Sequence, residues 1–324
     1  MLCLFNNCVF LCQLDSEEVF IVTTNYIMLV RKRIPVRFIL NEIKWELLFV
    51  SIISFTVTAI TKTFKDFLPE MPLTVPAFIG TAISVLLSFN LNQSYERWWE
   101  ARIIWGAIVN NSRSLVLQLQ SLVADGNDDV VRRMAYRQIA WCYSLGQSLR
   151  GLDPTDNIQK YITADDMDGI KKHDNKPIAL SQLQVRELKA LYDEGQIDTF
   201  SRIQIDTTIE ALVAEAGKAE RINSTVFPVT YRIFLHFIIY LFIATLSIAL
   251  DHAPPAFVVP LLLIIASAFF LLENTATHMQ DPFENTPTDT AVTAIATTIE
   301  INIKNLLNDK NVPAKAKPEK FYLM

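Results

Sequence analysis

Apolar residues gather in four stretches of this chain, and the stretches form two close pairs. They cover residues 45–64, 73–89, 233–250 and 256–272. Each has about 17 to 20 residues, near the length that a helix needs to cross the hydrocarbon core of a bilayer. A single stretch of this kind would also fit a buried helix of a soluble protein. Four of them in two pairs predict a bundle of transmembrane helices.

The segment between the two pairs, residues 90–232, is too long for a simple loop, and its pattern is helical. From Thr81 to Asp125 there is no proline and a single glycine, Gly106. The second apolar stretch is therefore predicted to leave the membrane unbroken, as a helix of about 45 residues and about 68 Å. The polar segment 124–129 would end it. Further helical patterns follow, so we expect an all-α membrane protein with a large helical region outside the bilayer.

Basic residues orient the predicted spans. The segment 31–37, before the first span, holds four basic residues, whereas the link 251–255 between the last two spans holds none. Because short basic loops stay on the cytoplasmic side, we expect a multi-pass protein of the cell membrane with both termini in the cytoplasm. The 90–232 insertion would then be cytoplasmic too.

The two ends of the chain differ from its middle. Residues 1–27 contain an apolar run without the positive start of a signal peptide, and Met28 would make a natural first residue. We interpret 1–27 as an N-terminal extension and 28–310 as the main domain. The segment 311–324 is rich in proline and lysine and is predicted to be a flexible tail.

Composition and motifs argue against several classes of function. With 29 basic and 34 acidic residues, the net charge of −5 is unlike that of a nucleic-acid-binding protein. The chain has no Walker loop, nucleophile elbow, zincin helix or dinucleotide fingerprint, so we expect neither an enzyme nor a cofactor. The four histidines are scattered and make no metal set. His236 and Glu273 lie in or beside predicted spans, where an ionisable group has either a functional or a structural role.

The second span carries a mixed polar and apolar strip. At 100° per residue, Thr81, Val85, Ser88 and Asn92 lie on one side of the helix, and Phe78 and Phe89 lie near the edge of that side. Gly80, Ser84 and Ser88 also form a row of small residues that allows close helix packing. The strip fits either a pore-lining face or a packing face. A ring of subunits, each donating this helix, could enclose a pore.

Directly after this span comes an amphipathic segment at residues 90–106. We expect its charged and aromatic residues to form a joint between the membrane part and the cytosolic part: Tyr95, Arg97, Trp98, Trp99, Glu100, Arg102 and Trp105. Tyr95, Trp98 and Trp99 fit an aromatic belt at the inner membrane interface. Arg97 and Glu100 have the spacing of an i, i+3 ion pair.

Residues 83–106, "ISVLLSFNLNQSYERWWEARIIWG", closely resemble the bacterial branch of the bestrophin family. The most distinctive mark is "RWWEAR" at 97–102. Further marks are "ERINSTVFPVTY" at 220–231, "DPFE" at 281–284 and "TIEINI" at 298–303. The resemblance covers roughly residues 28–310.

The resemblance implies a homopentameric ion channel with a narrow apolar neck in the membrane and a wide cytosolic vestibule. The three neck positions of the family match Thr81, Val85 and Phe89. Animal members have bulky apolar residues at all three, so Thr81 is a departure that would make the neck wider or wetter. The cytosolic constriction of the family is placed at Ile209. Of the acidic calcium-binding run of animal members only Asp289 remains, so we expect no metal site.

The resemblance leaves ion selectivity open. Animal and plant members pass chloride and other anions, whereas some bacterial members pass cations. An apolar neck gates by dewetting and has no preference for either sign of charge. Our main hypothesis is a passive channel for small monovalent ions, chloride or other anions by resemblance. The alternatives are a Na⁺ or K⁺ channel of the same fold, a non-conducting membrane scaffold or signalling protein, and a secondary transporter.

Overall fold

Helices account for nearly all regular structure in the part of the chain that the computed structural model describes, which is residues 41–64, 71–225, 228–286 and 289–316. Nine helices have their bounds within these ranges: α1 Lys44–Thr63, α2 Thr74–Leu122, α3 Asp128–Leu149, α4 Ala164–Lys171, α5 Lys176–Asp193, α6 Thr199–Ser224, α7 Val229–Ala249, α8 Pro255–Gln280 and α9 Val292–Leu306. The same ranges contain no strand. The all-α prediction is confirmed. The predicted extension 1–27, the basic segment 31–37 and residues 317–324 lie outside the described residues.

Four of these helices are long and apolar enough to cross a membrane: α1, α2, α7 and α8. They match the four predicted spans, although α8 continues past residue 272 to Gln280. α1 and α2 both pack against α7 and α8, around a core of aliphatic and aromatic side chains. Gly80 allows the close contact of α2 with α7, since a Cβ at this position would lie 3.0 Å from the ring of Phe242.

α2 is a single helix of 49 residues that belongs to both parts of the molecule. It ends at Leu122, as the polar segment 124–129 predicted, and the backbone turns at Gly126 with φ +92°. A residue with a Cβ is strained at such a φ, so glycine suits this turn. The upper half of α2, from Thr74 to Tyr95, lies among the membrane helices. The lower half, which continues to Leu122, lies among α3, α6 and α9.

The helices outside the four spans, α3 to α6 and α9, enclose with the lower half of α2 a larger core that is separate from the membrane core. We call these the cytosolic helices and the cytosolic core, after the predicted orientation of the chain. The largest side chains of this core are Trp105 of α2 and Trp141 of α3, both essentially inaccessible to solvent. Gly146 of α3 lies beside Trp105 and Val292, and a Cβ there would be in van der Waals contact with both, at 3.7 and 3.5 Å. Most of the apolar residues of these helices are thereby covered within the protomer, although Phe200 and Ile203 of α6 are exposed.

The short cytosolic helices begin at side-chain caps. Thr163, Asn175 and Asp198 accept hydrogen bonds from backbone N–H groups in the first turns of α4, α5 and α6. These are residue types that favour the N-cap position, because their oxygens satisfy donors that have no partner inside the helix. Local sequence therefore sets where these helices start.

Candidate pore-lining helix and its cytosolic joint

The three predicted neck residues lie on one exposed strip of α2. Val85 is 51% exposed and Phe89 is 60% exposed in the protomer, and Thr81 is exposed as well. The residues that α2 buries against its neighbours in this half are Pro76, Ile83, Leu87, Asn90 and Ser94. At 100° per residue, the mean direction of the three neck residues lies about 170° from that of Ile83, Leu87, Asn90 and Ser94. The strip therefore faces away from the helices of its own protomer.

Two hydroxyl groups on the exposed side of α2 donate their protons to the backbone of their own helix. Thr81 Oγ1 donates to the carbonyl of Ala77 at 2.9 Å, and Ser84 Oγ donates to the carbonyl of Gly80 at 2.9 Å. This is the usual way in which serine and threonine are accommodated inside a helix. What these hydroxyls then present outward are oxygen lone pairs.

Arg97 forms the joint between α2, α6 and α8. Its Nε donates to the backbone carbonyl of Gln280 at 2.8 Å. Its Nη2 donates to the carbonyls of Ile222 and Thr225 at 3.1 and 2.9 Å, and lies 3.4 Å from a carboxylate oxygen of Asp281. Carbonyls at the end of a helix have no partner within it, and a guanidinium group satisfies several of them at once.

The expected i, i+3 ion pair between Arg97 and Glu100 is wrong. Glu100 instead pairs with Arg221 of α6, whose Nη2 lies 2.7 Å from a carboxylate oxygen. Spacing along α2 allowed the local pair, but the end of α6 offers each residue a partner that sequence spacing cannot show. Both residues therefore tie α2 to α6, rather than to each other.

A buried amide pair adds to the joint. Gln280 Nε2 donates to Asn90 Oδ1 at 3.0 Å, and both side chains are less than 10% exposed. Asn90 lies one turn below Leu86 on α2, and Gln280 is the last residue of α8. Sequence reasoning missed this pair, because neither residue carries a pattern that indicates burial.

The aromatic residues of the joint divide into two groups. Tyr95, Trp98 and Trp99 stack on one another with ring centroids 6.0 to 6.3 Å apart, and Tyr95 and Trp99 are about half exposed. Trp105, by contrast, is fully buried in the cytosolic core. Arg102 lies between them on α2 and is partly buried. The stacked group has the amphipathic character of an interfacial belt, and its position at a membrane surface stays a prediction.

The assignment of a cytosolic constriction to Ile209 needs correction. Ile209 is only 4% exposed and belongs to the cytosolic core. A side chain buried within one protomer cannot narrow a passage between protomers. The exposed apolar residues of α6 are Phe200 and Ile203, 85% and 58% exposed. The error arises because helical periodicity around residue 209 does not show which face of α6 is covered.

Three ionisable residues of α7 and α8 form a cluster. Glu273 of α8 is 1% exposed, and its two carboxylate oxygens lie 3.3 Å from Arg232 Nε and 3.2 Å from His236 Nε2. Both partners belong to α7. A buried carboxylate is costly unless it is paired, and these contacts favour a structural role for His236 and Glu273 between α7 and α8.

The segment after α8 holds a single buried carboxylate, that of Asp289. It is 3% exposed and accepts hydrogen bonds from the backbone N–H and the hydroxyl of Thr286. Burial raises the pKa of Asp289. Within the described residues, no group of three or more histidines, cysteines and carboxylates has a geometry that could hold a metal ion.

Two bacterial relatives share most of the chain. The voltage-dependent anion channel-forming protein RSc3414 of Ralstonia nicotianae is 28% identical over 248 residues, which cover 76% of this chain and 81% of the relative. The voltage-dependent anion channel-forming protein YneE of Escherichia coli (strain K12) is 27% identical over 249 residues, which cover 76% of this chain and 80% of the relative. Both alignments are long enough to include membrane and cytosolic helices.

A solved structure and a family model agree with these relatives. The crystal structure of a bacterial bestrophin homologue from Klebsiella pneumoniae superposes with a TM-score of 0.77 at 24% identity, covering 82% of this chain and 99% of that chain. That likeness shows a shared fold. The family model described as "Bacterial/Fungal Bestrophin protein" matches residues 29–305. The resemblance inferred from "RWWEAR" is thus confirmed, and the chain belongs to the bacterial and fungal bestrophin family.

Proposed function

We propose that the protein is a channel through which small monovalent anions such as chloride cross the cell membrane passively. The observation that carries this proposal is the exposed strip of α2, where Thr81, Val85 and Phe89 face away from their own protomer. The names of the two relatives, both voltage-dependent anion channel-forming proteins, support the choice of anions.

The strip favours an assembly in which α2 faces a common axis. It includes Ser88 and Asn92 as well as apolar side chains, and both polar residues are exposed in the protomer. Exposed amides and hydroxyls are unfavourable against lipid, whereas they are hydrated along a water-filled axis. We propose a homopentamer, the assembly that the family resemblance implies, with one α2 from each subunit around the pore.

In this assembly the neck is a hydrophobic gate. Val85 and Phe89 would narrow the pore with apolar side chains, and a narrow apolar segment blocks ions by losing its water. Thr81, one turn above Val85, would keep that end of the neck wetter. The helices α3 to α6 and α9 would surround a vestibule in the cytoplasm, with both chain termini on the same side. No catalytic step is part of this function.

Flux through liposomes tests the proposal. Purified protein is reconstituted, and chloride flux down a gradient is followed with and without Val85→Ala and Phe89→Ala combined. A wider and less apolar neck should raise the flux by about tenfold or more, because dewetting depends steeply on pore width. The matched control is Val185→Ala with Phe200→Ala, which makes the same two changes at exposed cytosolic positions.

The same preparation separates the rival hypotheses. A channel gives flux that rises linearly with the gradient, a secondary transporter gives saturable uptake, and a scaffold gives none. Native mass spectrometry of the detergent-solubilised protein should show five copies. The channel proposal would be contradicted if the wild-type protein assembles but passes no ion and the neck variant passes none either.

A further inference from the structure

Glu96 is the charged residue of α2 that lies nearest to the neck. From Thr74 to Tyr95 the helix contains no charged residue, so Glu96 is the first charge below the neck. It lies seven residues after Phe89, which places it about 10 Å further along the helix axis. At 100° per residue, Glu96 lies about 20° from the mean direction of the three neck residues. It therefore lies on the same strip.

The carboxylate of Glu96 is available to the pore. The side chain is exposed, and within the described residues it has no hydrogen bond or ion pair. The neighbouring charges of α2 are engaged elsewhere, since Arg97 binds the carbonyls at the ends of α6 and α8 and Glu100 pairs with Arg221. No basic side chain of α2 between Thr74 and Glu96 compensates for this charge.

The hydroxyl group of Thr81, at the opposite end of the neck and about 22 Å along α2 from Glu96, also favours a cation over an anion. Because Thr81 donates its proton to the carbonyl of Ala77, it offers oxygen lone pairs to an ion in the pore. Lone pairs stabilise a cation and repel an anion. The exposed strip thus combines acceptor oxygens above the gate with a carboxylate below it.

We infer that Glu96 is the selectivity-determining residue of the channel, an inference that rests on the proposed function. One carboxylate from each subunit forms a ring of fixed negative charge at the cytosolic end of the neck. Rings of acidic side chains concentrate cations and exclude anions. The ring therefore lowers the anion permeability relative to that of a channel with the apolar neck alone. It also gives the protein a substantial cation conductance in addition to its anion conductance.

Reversal potentials in asymmetric NaCl test this inference on the full-length protein in planar bilayers. Glu96→Gln should raise the chloride-to-sodium permeability ratio by about threefold or more, and Glu96→Lys should raise it further. Glu96→Asp should leave the ratio close to that of wild type. The difference between wild type and Glu96→Gln should shrink between 0.1 M and 1 M salt, as the Debye length falls from about 10 Å to about 3 Å.

The matched control is Glu194→Gln. Glu194 is also exposed and without a side-chain partner among the described residues, but it lies beside the far end of α2, about 39 Å along the helix from Glu96. Its replacement should not change the ratio. A conducting wild type whose ratio is the same in Glu96→Gln and Glu96→Lys overturns this inference alone. A wild type without any conductance overturns the channel proposal, and this inference with it.

Discussion

The two halves of α2 show how one continuous helix serves two environments. The upper half, from Thr74 to Tyr95, buries few residues and leaves Phe78, Val85 and Phe89 more than half exposed. The lower half buries Trp105 and a run of aliphatic residues among cytosolic helices. Both halves are rich in apolar residues, yet the lower half is covered more fully within the protomer. Exposure in the upper half therefore indicates a surface that faces lipid, another subunit or the pore.

Arg97 marks the boundary between the halves. Above it, α2 meets the membrane helices α7 and α8, and below it α2 meets α6, α3 and α9. The guanidinium group joins both sets, since it binds a carbonyl at the end of α8 and two at the end of α6. Arg97 therefore links α2 to the ends of α6 and α8 at this point.

The largest effect is expected in the lower half. Trp105→Ala would remove a fully buried indole from the cytosolic core and should lower the free energy of unfolding by about 3 to 5 kcal/mol. Unfolding in mixed micelles, followed by far-UV circular dichroism, measures this change. Trp99→Ala, which removes the same side chain where it is 48% exposed, should cost about 1 kcal/mol. Equal costs would contradict the difference between the halves.

A slightly smaller effect is expected at the boundary. Arg97→Ala would leave three backbone carbonyls without their charged donor and should cost about 3 kcal/mol, since a hydrogen bond to a charged group contributes more than a neutral one. The same unfolding assay applies. Arg186→Ala removes an exposed arginine of α5 and should change stability by less than about 0.5 kcal/mol. If the two variants behave alike, Arg97 does not hold the joint.

The buried amide pair should have a moderate effect that can be reversed. Gln280→Leu would leave Asn90 Oδ1 buried without its donor, at a cost of about 1 to 2 kcal/mol. Replacing both residues by leucine should recover most of the loss, because no polar atom is then left unsatisfied. A double variant that is less stable than Gln280→Leu would show that the amides contribute more than their mutual hydrogen bond.

The smallest change in stability is expected in the upper half. Phe89→Ala should alter the free energy of protomer unfolding by about 0.5 kcal/mol or less, because its ring is 60% exposed. The same substitution should nevertheless raise ion flux through liposomes. A loss of stability close to that of Trp105→Ala would mean that the ring is packed in the native protein and does not face an open axis.

Much of the architecture could be predicted from sequence because it follows from local patterns. Four apolar stretches of membrane length defined α1, α2, α7 and α8, and the lack of proline predicted the length of α2. The family could be recognised from a few residues around "RWWEAR". The positions of Thr81, Val85 and Phe89 on one exposed strip followed from helical geometry, while their role as a neck stays a prediction.

What sequence alone determined was which segments are helical, which helices are apolar enough for a bilayer and which residues share a face of one helix. These properties depend on neighbours within a few residues along the chain. Only the tertiary structure decided which face is covered and which partner each polar group finds. Ile209 is buried in the cytosolic core, and Arg97 binds Gln280 because α8 ends beside α2. The contact of Arg97 with Gln280 joins residues 183 positions apart, and no local period encodes contacts of this kind.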